Sequence, residues 1–103
     1  MSELIKVAQL GQLGPGQRKL VTAKGCNIAL FNLEGTFYAV DNSCPHSTGP
    51  LVEGRLFGTM ITCPWHGSQF DISDGQCHSG PATTNVAAYP VHVEGEAIFI
   101  EIT

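Results

Sequence analysis

The amino-acid sequence predicts a single all-β domain over residues 1–103, a small antiparallel β-sandwich or barrel with an inserted subdomain of two loops. Three observations lead to this fold class. Short apolar runs recur along the chain, and several of them alternate with polar residues. Turns rich in glycine and proline separate the runs. No segment of useful length has the period of a helix, and no linker or internal repeat divides the chain.

The part of the chain before the loops predicts an antiparallel meander. A cluster of glycine and proline at residues 11–16 closes the first strand, and Lys24-Gly25 closes the second. Glu34-Gly35 is a hairpin signal between two apolar runs. The four expected strands lie at residues 4–8, 17–23, 26–33 and 36–40.

The two loops each follow a strand. The first, at about residues 43–50, continues from the fourth strand, and the second, at about residues 62–70, continues from an apolar stretch. Strand ends rather than flexible tails should therefore fix the separation of the loops.

His92 alternates with valines and should face solvent. The remaining strands are expected at residues 59–62, 69–72, 86–93 and 97–102, and the last two form a closing hairpin.

Each loop carries one cysteine and one histidine at close spacing. Cys44 and His46 lie in the first loop, and Cys63 and His66 lie in the second. A proline follows each cysteine and stiffens the turn, because its ring fixes one backbone torsion. Brought together, the two loops would present two thiolates and two imidazoles to one metal centre.

Two kinds of metal centre suit this set of side chains. Two cysteines and two histidines could close a tetrahedral zinc site, or could hold a [2Fe–2S] cluster with cysteine on one iron and histidine on the other. A zinc finger usually keeps its cysteines together and its histidines together. The interleaved order favours the cluster, because each loop must then reach both irons. A structural zinc module is the alternative.

The residues around these side chains resemble the Rieske family of [2Fe–2S] proteins. The sequences CPH at residues 44–46 and CPWHGS at residues 63–68 are similar to its two cluster-binding loops, and a weaker similarity extends over nearly the whole chain. The resemblance also implies that the proline-bearing loop at about residues 79–82 covers the cluster. It implies one [2Fe–2S] cluster bound by Cys44, His46, Cys63 and His66.

Two features depart from the respiratory branch of that family. There, an additional cysteine in each loop forms a disulfide, whereas the matching positions here are Gly49 and Trp65. The loop serine is retained as Ser68, but the tyrosine two residues later is replaced by Phe70. Fewer hydrogen-bond donors leave the reduced cluster less stabilised. We therefore expect a reduction potential near the low end of the Rieske range, about −150 mV.

The combination is similar to the soluble Rieske ferredoxins of aromatic-ring dioxygenase systems. That resemblance implies a one-electron carrier, not an enzyme, between an NAD(P)H-dependent flavoprotein reductase and a terminal ring-hydroxylating oxygenase, with docking near His46 and His66. The small subunit of an assimilatory nitrite reductase is an alternative. The Rieske domain of an oxygenase is another, although His78 and His92 are the only other histidines and no 2-His-1-carboxylate iron site follows.

Charge and hydropathy exclude other classes of protein. The formal net charge is −4, with no run of lysine or arginine that could neutralise nucleic-acid phosphates. No span approaches the roughly 20 apolar residues that cross a bilayer. The first residues have no apolar signal segment. We expect a cytoplasmic protein that binds neither nucleic acid nor membrane.

Two of the four cysteines fall outside the expected ligand set. Cys26 begins an apolar run, and it is expected to be a small core residue. Cys77 is followed by His78 and could form another ligand pair. Because the set of four ligands is complete without it, we expect Cys77 not to bind the metal.

Overall fold

Three antiparallel β-sheets make up the part of the chain that the structure, a computed structural model, describes: residues 3–43, 49–65, 67–80 and 84–102. Within these ranges there are two short 3-10 turns and no α-helix, and no helix could cross a membrane. The strands are β1 (Glu3–Gln9), β2 (Arg18–Ala23), β3 (Cys26–Leu33), β4 (Thr36–Asp41), β5 (Arg55–Phe57), β6 (Met60–Thr62), β7 (Gln69–Asp71), β8 (Cys77–Ser79), β9 (Ala88–Tyr89), β10 (Val91–Glu94) and β11 (Ala97–Ile102).

The sheet β2-β3-β4-β9 separates two hydrophobic cores. On β3, Ile28 and Leu30 belong to the core shared with the sheet β1-β11-β10, while Ala29 and Phe31 belong to the core shared with the sheet β5-β6-β7-β8. All four side chains have 0% relative exposure. A strand that is covered on both faces needs an uninterrupted apolar run, which is what β3 has.

The hairpin between β3 and β4 forms as predicted. Glu34 and Gly35 have φ angles of 53° and 94°, and Leu33 pairs with Thr36 on either side of them. Positive φ at both central residues matches the right-handed twist of the flanking strands. The predicted antiparallel, all-β fold class is confirmed.

The predicted meander is wrong at its first strand. β1 pairs antiparallel with β11, beginning with Glu3 opposite Ile102, and not with β2. The register shifts between Lys6 and Ala8. Local alternation reveals a strand but not its partner, and here strands from the two ends of the chain close one sheet. The meander begins only at β2.

The predicted strand at residues 86–93 is two strands in two different sheets. β9 pairs with β4, whereas β10 pairs with β11 in the predicted closing hairpin. Pro90 lies between them, and proline cannot donate a ladder hydrogen bond. The break at Pro90 lets the chain pass from the central sheet to the terminal one.

The inserted sheet β5-β6-β7-β8 enters the chain between β4 and β9. Its strands have three residues each, and β8 was not predicted because its residues show no alternation. β8 pairs with β7 through an irregular register, with Gln69 opposite Ser79 and Phe70 opposite Cys77. Ser79 therefore ends a strand, although the proline loop was expected to begin there. Pro81 and Ala82 lie outside the described residues.

Candidate metal centre

The first predicted loop is closed at its base by residues on both of its sides. Ser43 and Pro50 form an isolated antiparallel bridge, so the chain returns beside itself across this loop. Cys44 and His46 lie between them, among residues 44–48, which are outside the described part of the chain. The structure thus fixes where this loop leaves and rejoins the fold.

Asn42, which follows β4, is hydrogen-bonded to β3 and to the segment that follows the first loop. Its backbone N–H donates to the Asn27 carbonyl at 2.9 Å, and its own carbonyl accepts the Leu51 N–H at 2.7 Å. The side-chain Oδ1 accepts the Val52 N–H at 2.8 Å. Asn42 is only 8% exposed, so water competes little for these bonds. The segment that follows the loop is therefore held against the central sheet.

Replacing Asn42 with alanine should lower the free energy of unfolding by about 1–3 kcal/mol, because the partly buried Val52 N–H loses its acceptor. Urea denaturation of the purified variant measures this change. Asn27→Ala is the matched control, since among the described residues its side chain makes a single hydrogen bond, which it accepts from the Thr22 hydroxyl at 3.4 Å on the surface. Equal stability of the two variants would show that the Asn42 side chain does not hold the loop.

Arg18 on β2 binds the segment that follows the first loop. The sequence analysis did not identify this residue. Its Nη1 donates to the carbonyl oxygen of Val52 at 3.1 Å and also to that of Gly54. The guanidinium lies 5.6 Å from the centre of the Phe31 ring, within the range of a cation–π interaction. No local motif marks an arginine whose partners lie more than thirty residues away.

The second predicted loop begins where β6 ends. The Cys63 N–H donates to the Ser68 carbonyl at 2.8 Å, and the Cys63 carbonyl accepts the Gly67 N–H at 3.1 Å. These bonds join the two ends of residues 63–68, and His66 itself is outside the described residues. Cys63 is 2% exposed and packs in the core with Ile61. The backbone of this cysteine is therefore rigidly placed at the end of a strand.

The two loops meet at Gly49. A Cβ atom added to Gly49 would lie 2.8 Å from the Sγ of Cys63 and 3.2 Å from Cγ of Trp65. The backbone of the first loop thus lies directly against the thiol and the indole of the second. The resemblance to the Rieske family implies that Gly49 and Trp65 match the disulfide positions of its respiratory branch, and the structure places these two residues in contact.

A third segment packs against the second loop just before the predicted proline loop. Gly80 has a φ of +101°, and a Cβ added there would lie 2.4 Å from the Cα of Ser68. Ser68 is completely buried. Ser79 Oγ donates to Oε1 of Gln69 at 2.8 Å. This segment is therefore fastened to the loop that carries Cys63.

Asn85 anchors the other side of the same segment. Its Oδ1 accepts the backbone N–H of Cys77 at 2.8 Å, so the chain is held to β8 on both sides of residues 81–83. The Val86 N–H donates to the Gly75 carbonyl at 2.9 Å. The segments on either side of the predicted proline-bearing loop are therefore held in place, although Pro81 lies outside the described residues.

Asp71 stabilises the turn between β7 and β8. Its Oδ1 accepts the Ser73 hydroxyl at 2.6 Å and the Ser73 N–H at 2.9 Å, and these bonds lower the pKa of Asp71. Because the folded-state pKa is lowered, the stabilisation is present above the unfolded-state pKa and is lost as the pH falls through the folded-state value.

Two cysteines and two histidines predicted to lie outside the ligand set have other surroundings. Cys26 packs against the core that the terminal sheet covers. It also lies close enough to Tyr89 to affect its phenol: the pKa of Tyr89 is raised by burial first, and then by Asp41 and Cys26. Cys77 packs against the other core, beside an exposed His78. His92 is exposed, as predicted, and lies 3.1 Å from Glu101. Within the described ranges no three metal-binding side chains come together.

The residues that the structure describes fit a metal centre between the two loops. Cys63 offers a buried thiol, and the backbone of Gly49 approaches that sulfur so closely that any larger residue would collide with it. A thiol is a soft ligand that suits iron–sulfur clusters and zinc. These features suit the class of small β-proteins that hold a metal centre where two loops meet, here one loop after β4 and one after β6.

Comparison with known proteins specifies the family. The sequence pattern of the Rieske [2Fe–2S] domain matches residues 3–90, and the chain belongs to this family. The cofactor of the family is a [2Fe–2S] cluster, so the predicted cofactor and the predicted family are confirmed. The assignment of particular ligands remains a prediction.

The curated relatives include ferredoxin components of dioxygenase systems. The chain is 35% identical over 99 residues to the ferredoxin component of the naphthalene 1,2-dioxygenase system of Pseudomonas aeruginosa, covering 96% of this chain and 95% of the relative. It is 42% identical over 76 residues to the 3-phenylpropionate/cinnamic acid dioxygenase ferredoxin subunit of Shigella boydii, covering 73% and 72%.

Solved structures share the fold over nearly the whole chain. The ferredoxin of carbazole 1,9a-dioxygenase from Nocardioides aromaticivorans superposes with a TM-score of 0.89 at 30% identity, covering 94% of this chain and 95% of that one. A complex of reduced oxygenase and oxidised ferredoxin of carbazole 1,9a-dioxygenase gives 0.86 at 30% identity, covering 94% and 91%. A structure described as an NADH-dependent nitrite reductase small subunit from Mycobacterium tuberculosis gives 0.88 at 25% identity, covering 100% and 97%.

Proposed function

We propose that this protein is a one-electron carrier that serves a terminal ring-hydroxylating oxygenase and does not itself transform a substrate. The observation that carries the proposal is the 35% identity to a dioxygenase ferredoxin component over 95% of that component's length. Relatives with this name are electron-transfer components of multicomponent systems. The close approach of Gly49 to the Cys63 sulfur supports the proposal that the electron-carrying group lies where the two loops meet.

The proposed ligands are Cys44 and Cys63 on one iron and His46 and His66 on the other. A [2Fe–2S] group held in this way accepts and releases one electron at a higher potential than an all-cysteine cluster. Cys63 would contribute a thiolate whose position the end of β6 determines. The proposed cluster-binding loops are residues 43–50 and 62–70, with a covering loop at about residues 79–82.

The buried residues around Cys63 would keep water away from one side of the centre. Phe70 is completely buried in the core beneath the second loop and offers no hydroxyl group. A hydroxyl at this position could donate a hydrogen bond toward the cluster and favour its reduced form. This side chain supports the predicted low potential, about −150 mV on the Rieske range.

We further propose two protein partners, a flavoprotein reductase as the electron donor and the terminal oxygenase as the acceptor. Both would dock near His46 and His66, because an electron must enter and leave close to the cluster. The net charge of −4 would favour partners with a basic docking patch. NAD(P)H, which would reduce such a flavoprotein, is an intracellular cofactor, so we propose that the carrier acts in the cytoplasm.

The small subunit of a nitrite reductase is the second candidate, favoured by a TM-score of 0.88 over the whole chain. The lower identity, 25%, makes it the weaker one. A nitrite reductase subunit would remain bound to a large partner, whereas a ferredoxin component would dock transiently. Purification from the native host at moderate salt distinguishes the two, because stable co-elution with a large redox enzyme would favour the nitrite reductase.

Electron paramagnetic resonance of the dithionite-reduced protein tests the electron-carrying centre. We expect a rhombic signal whose average g-value lies below that of all-cysteine [2Fe–2S] proteins, together with a potential near −150 mV in a redox titration. A potential well above zero at neutral pH would contradict the argument from Phe70. A colourless, silent sample that contains zinc would overturn the electron-transfer proposal itself, since zinc has no redox chemistry.

A further inference from the structure

Gly49 and Trp65 make a direct contact between the two loops. A Cβ on Gly49 would lie 3.2 Å from both Cγ and Cδ2 of Trp65, so the glycine backbone packs against the indole ring. The same Cβ would lie 2.8 Å from Cys63 Sγ. The sulfur and the Cγ of the indole are therefore at most about 6 Å apart, with the Gly49 backbone against both.

Glycine is required at position 49 by space rather than by backbone conformation. Its φ lies outside the left-handed region, so a larger residue could adopt the same backbone angles. Such a residue would instead push against a buried thiol and an aromatic ring. The close approach thus depends on the absence of a side chain at this one position.

Trp65 is unusual in being both exposed and in contact with the partner loop. Its relative exposure is 58%, although a tryptophan normally buries most of its surface. One part of the indole lies on Gly49, and the rest forms the outer surface of the second loop. The exposed indole and the buried Cys63 sulfur therefore lie against the same glycine.

We propose that Gly49 and Trp65 form a clasp that holds the two loops together and shields the cluster, in the place where other members of the family have a disulfide. This inference rests on the proposed cluster between the loops. Both are positioning residues: Gly49 permits the approach, and the indole of Trp65 supplies the packing contact. A non-covalent clasp of this kind should be insensitive to thiol reductants.

The clasp has a predictable effect on the reduction potential. Reduction adds one negative charge to the site, and water stabilises the more highly charged form. Removing the indole in Trp65→Ala should therefore shift the potential upward and accelerate loss of the cluster in air several-fold. Trp65→Phe keeps an aromatic ring against Gly49 and should restore most of both properties.

Phe57→Ala is a matched control. Phe57 is another exposed aromatic residue, 86% exposed, in the same inserted sheet. It pairs with Met60 at the turn of the β5–β6 hairpin, whereas Cys63 follows the opposite end of β6. Its removal should change neither the potential nor the lifetime of the cluster.

Gly49→Ala tests the other half of the clasp. The added methyl group would meet the sulfur at 2.8 Å, so the loops must separate or the thiolate must move. We expect changed g-values in the reduced protein and a shorter cluster lifetime. In the double variant with Trp65→Ala, the effects of the two changes on lifetime should be less than additive, because one contact is lost in both.

These measurements use the holoprotein, and they separate the clasp from the proposed function. Wild-type protein without a mixed-ligand [2Fe–2S] signal would overturn the proposed function. A normal wild-type signal with unchanged potential and lifetime in Trp65→Ala would overturn the clasp alone. The same unchanged values combined with slower electron delivery to an oxygenase would mean that Trp65 only contacts the partner, which also rejects the clasp.

Discussion

Replacing Cys63 with alanine is expected to give a folded but colourless protein that retains no [2Fe–2S] cluster. The side chain is 2% exposed in the core, and alanine fills most of its volume, so the sheets should still form. The thiolate, however, would be one of only two that hold the iron, and alanine offers no ligand atom. Iron and sulfide analysis, visible absorption and far-ultraviolet circular dichroism together distinguish loss of the cluster from loss of the fold.

Cys77→Ser is the matched control for this change. Cys77 also packs against the same core, but it lies on β8 and outside the proposed ligand set. The variant should keep the visible spectrum and the iron content of the wild type. Loss of the cluster in Cys77→Ser, or a wild-type spectrum in Cys63→Ala, would show that the proposed ligand set is wrong.

Local sequence patterns predicted the β3–β4 hairpin correctly but did not predict the partner of β1. Glu34-Gly35 specifies its turn through the backbone conformations that those two residues adopt. The pairing of β1 with β11 has no such local signal, because it depends on which strands meet after collapse. The same limit applies to β8, whose three residues pair only through the irregular register with β7.

The candidate site shows the same division between local and long-range information. Cysteine and histidine spacing predicted the loops, because ligand chemistry restricts which residues can serve. The supports around the loops were missed, because Arg18 and Asn42 act through backbone groups that are distant in sequence. A hydrogen bond to a backbone group requires no particular residue type in the partner, so it leaves no recognisable pattern in the amino-acid sequence.

Gly80→Ala is expected to loosen the segment that packs on the second loop and to shorten the lifetime of the cluster. Its φ of +101° is strained for any residue with a side chain, and the added Cβ would lie 2.4 Å from the Cα of Ser68. Backbone strain alone costs about 1–3 kcal/mol. Because Ser68 is completely buried and its carbonyl accepts the Cys63 N–H, the second loop cannot easily yield. We expect a total loss of about 2–4 kcal/mol in unfolding free energy.

Gly11→Ala is the control that separates this collision from the general effect of replacing a glycine. Nothing lies within 4 Å of a Cβ added at Gly11, and its φ is not in the left-handed region. That variant should be neutral or slightly more stable, since alanine reduces the conformational freedom of the unfolded chain. Urea denaturation and the rate of absorbance loss in air compare the two variants. Equal behaviour would mean that the segment at Gly80 moves away at no cost, and then it could not hold a cover over the cluster.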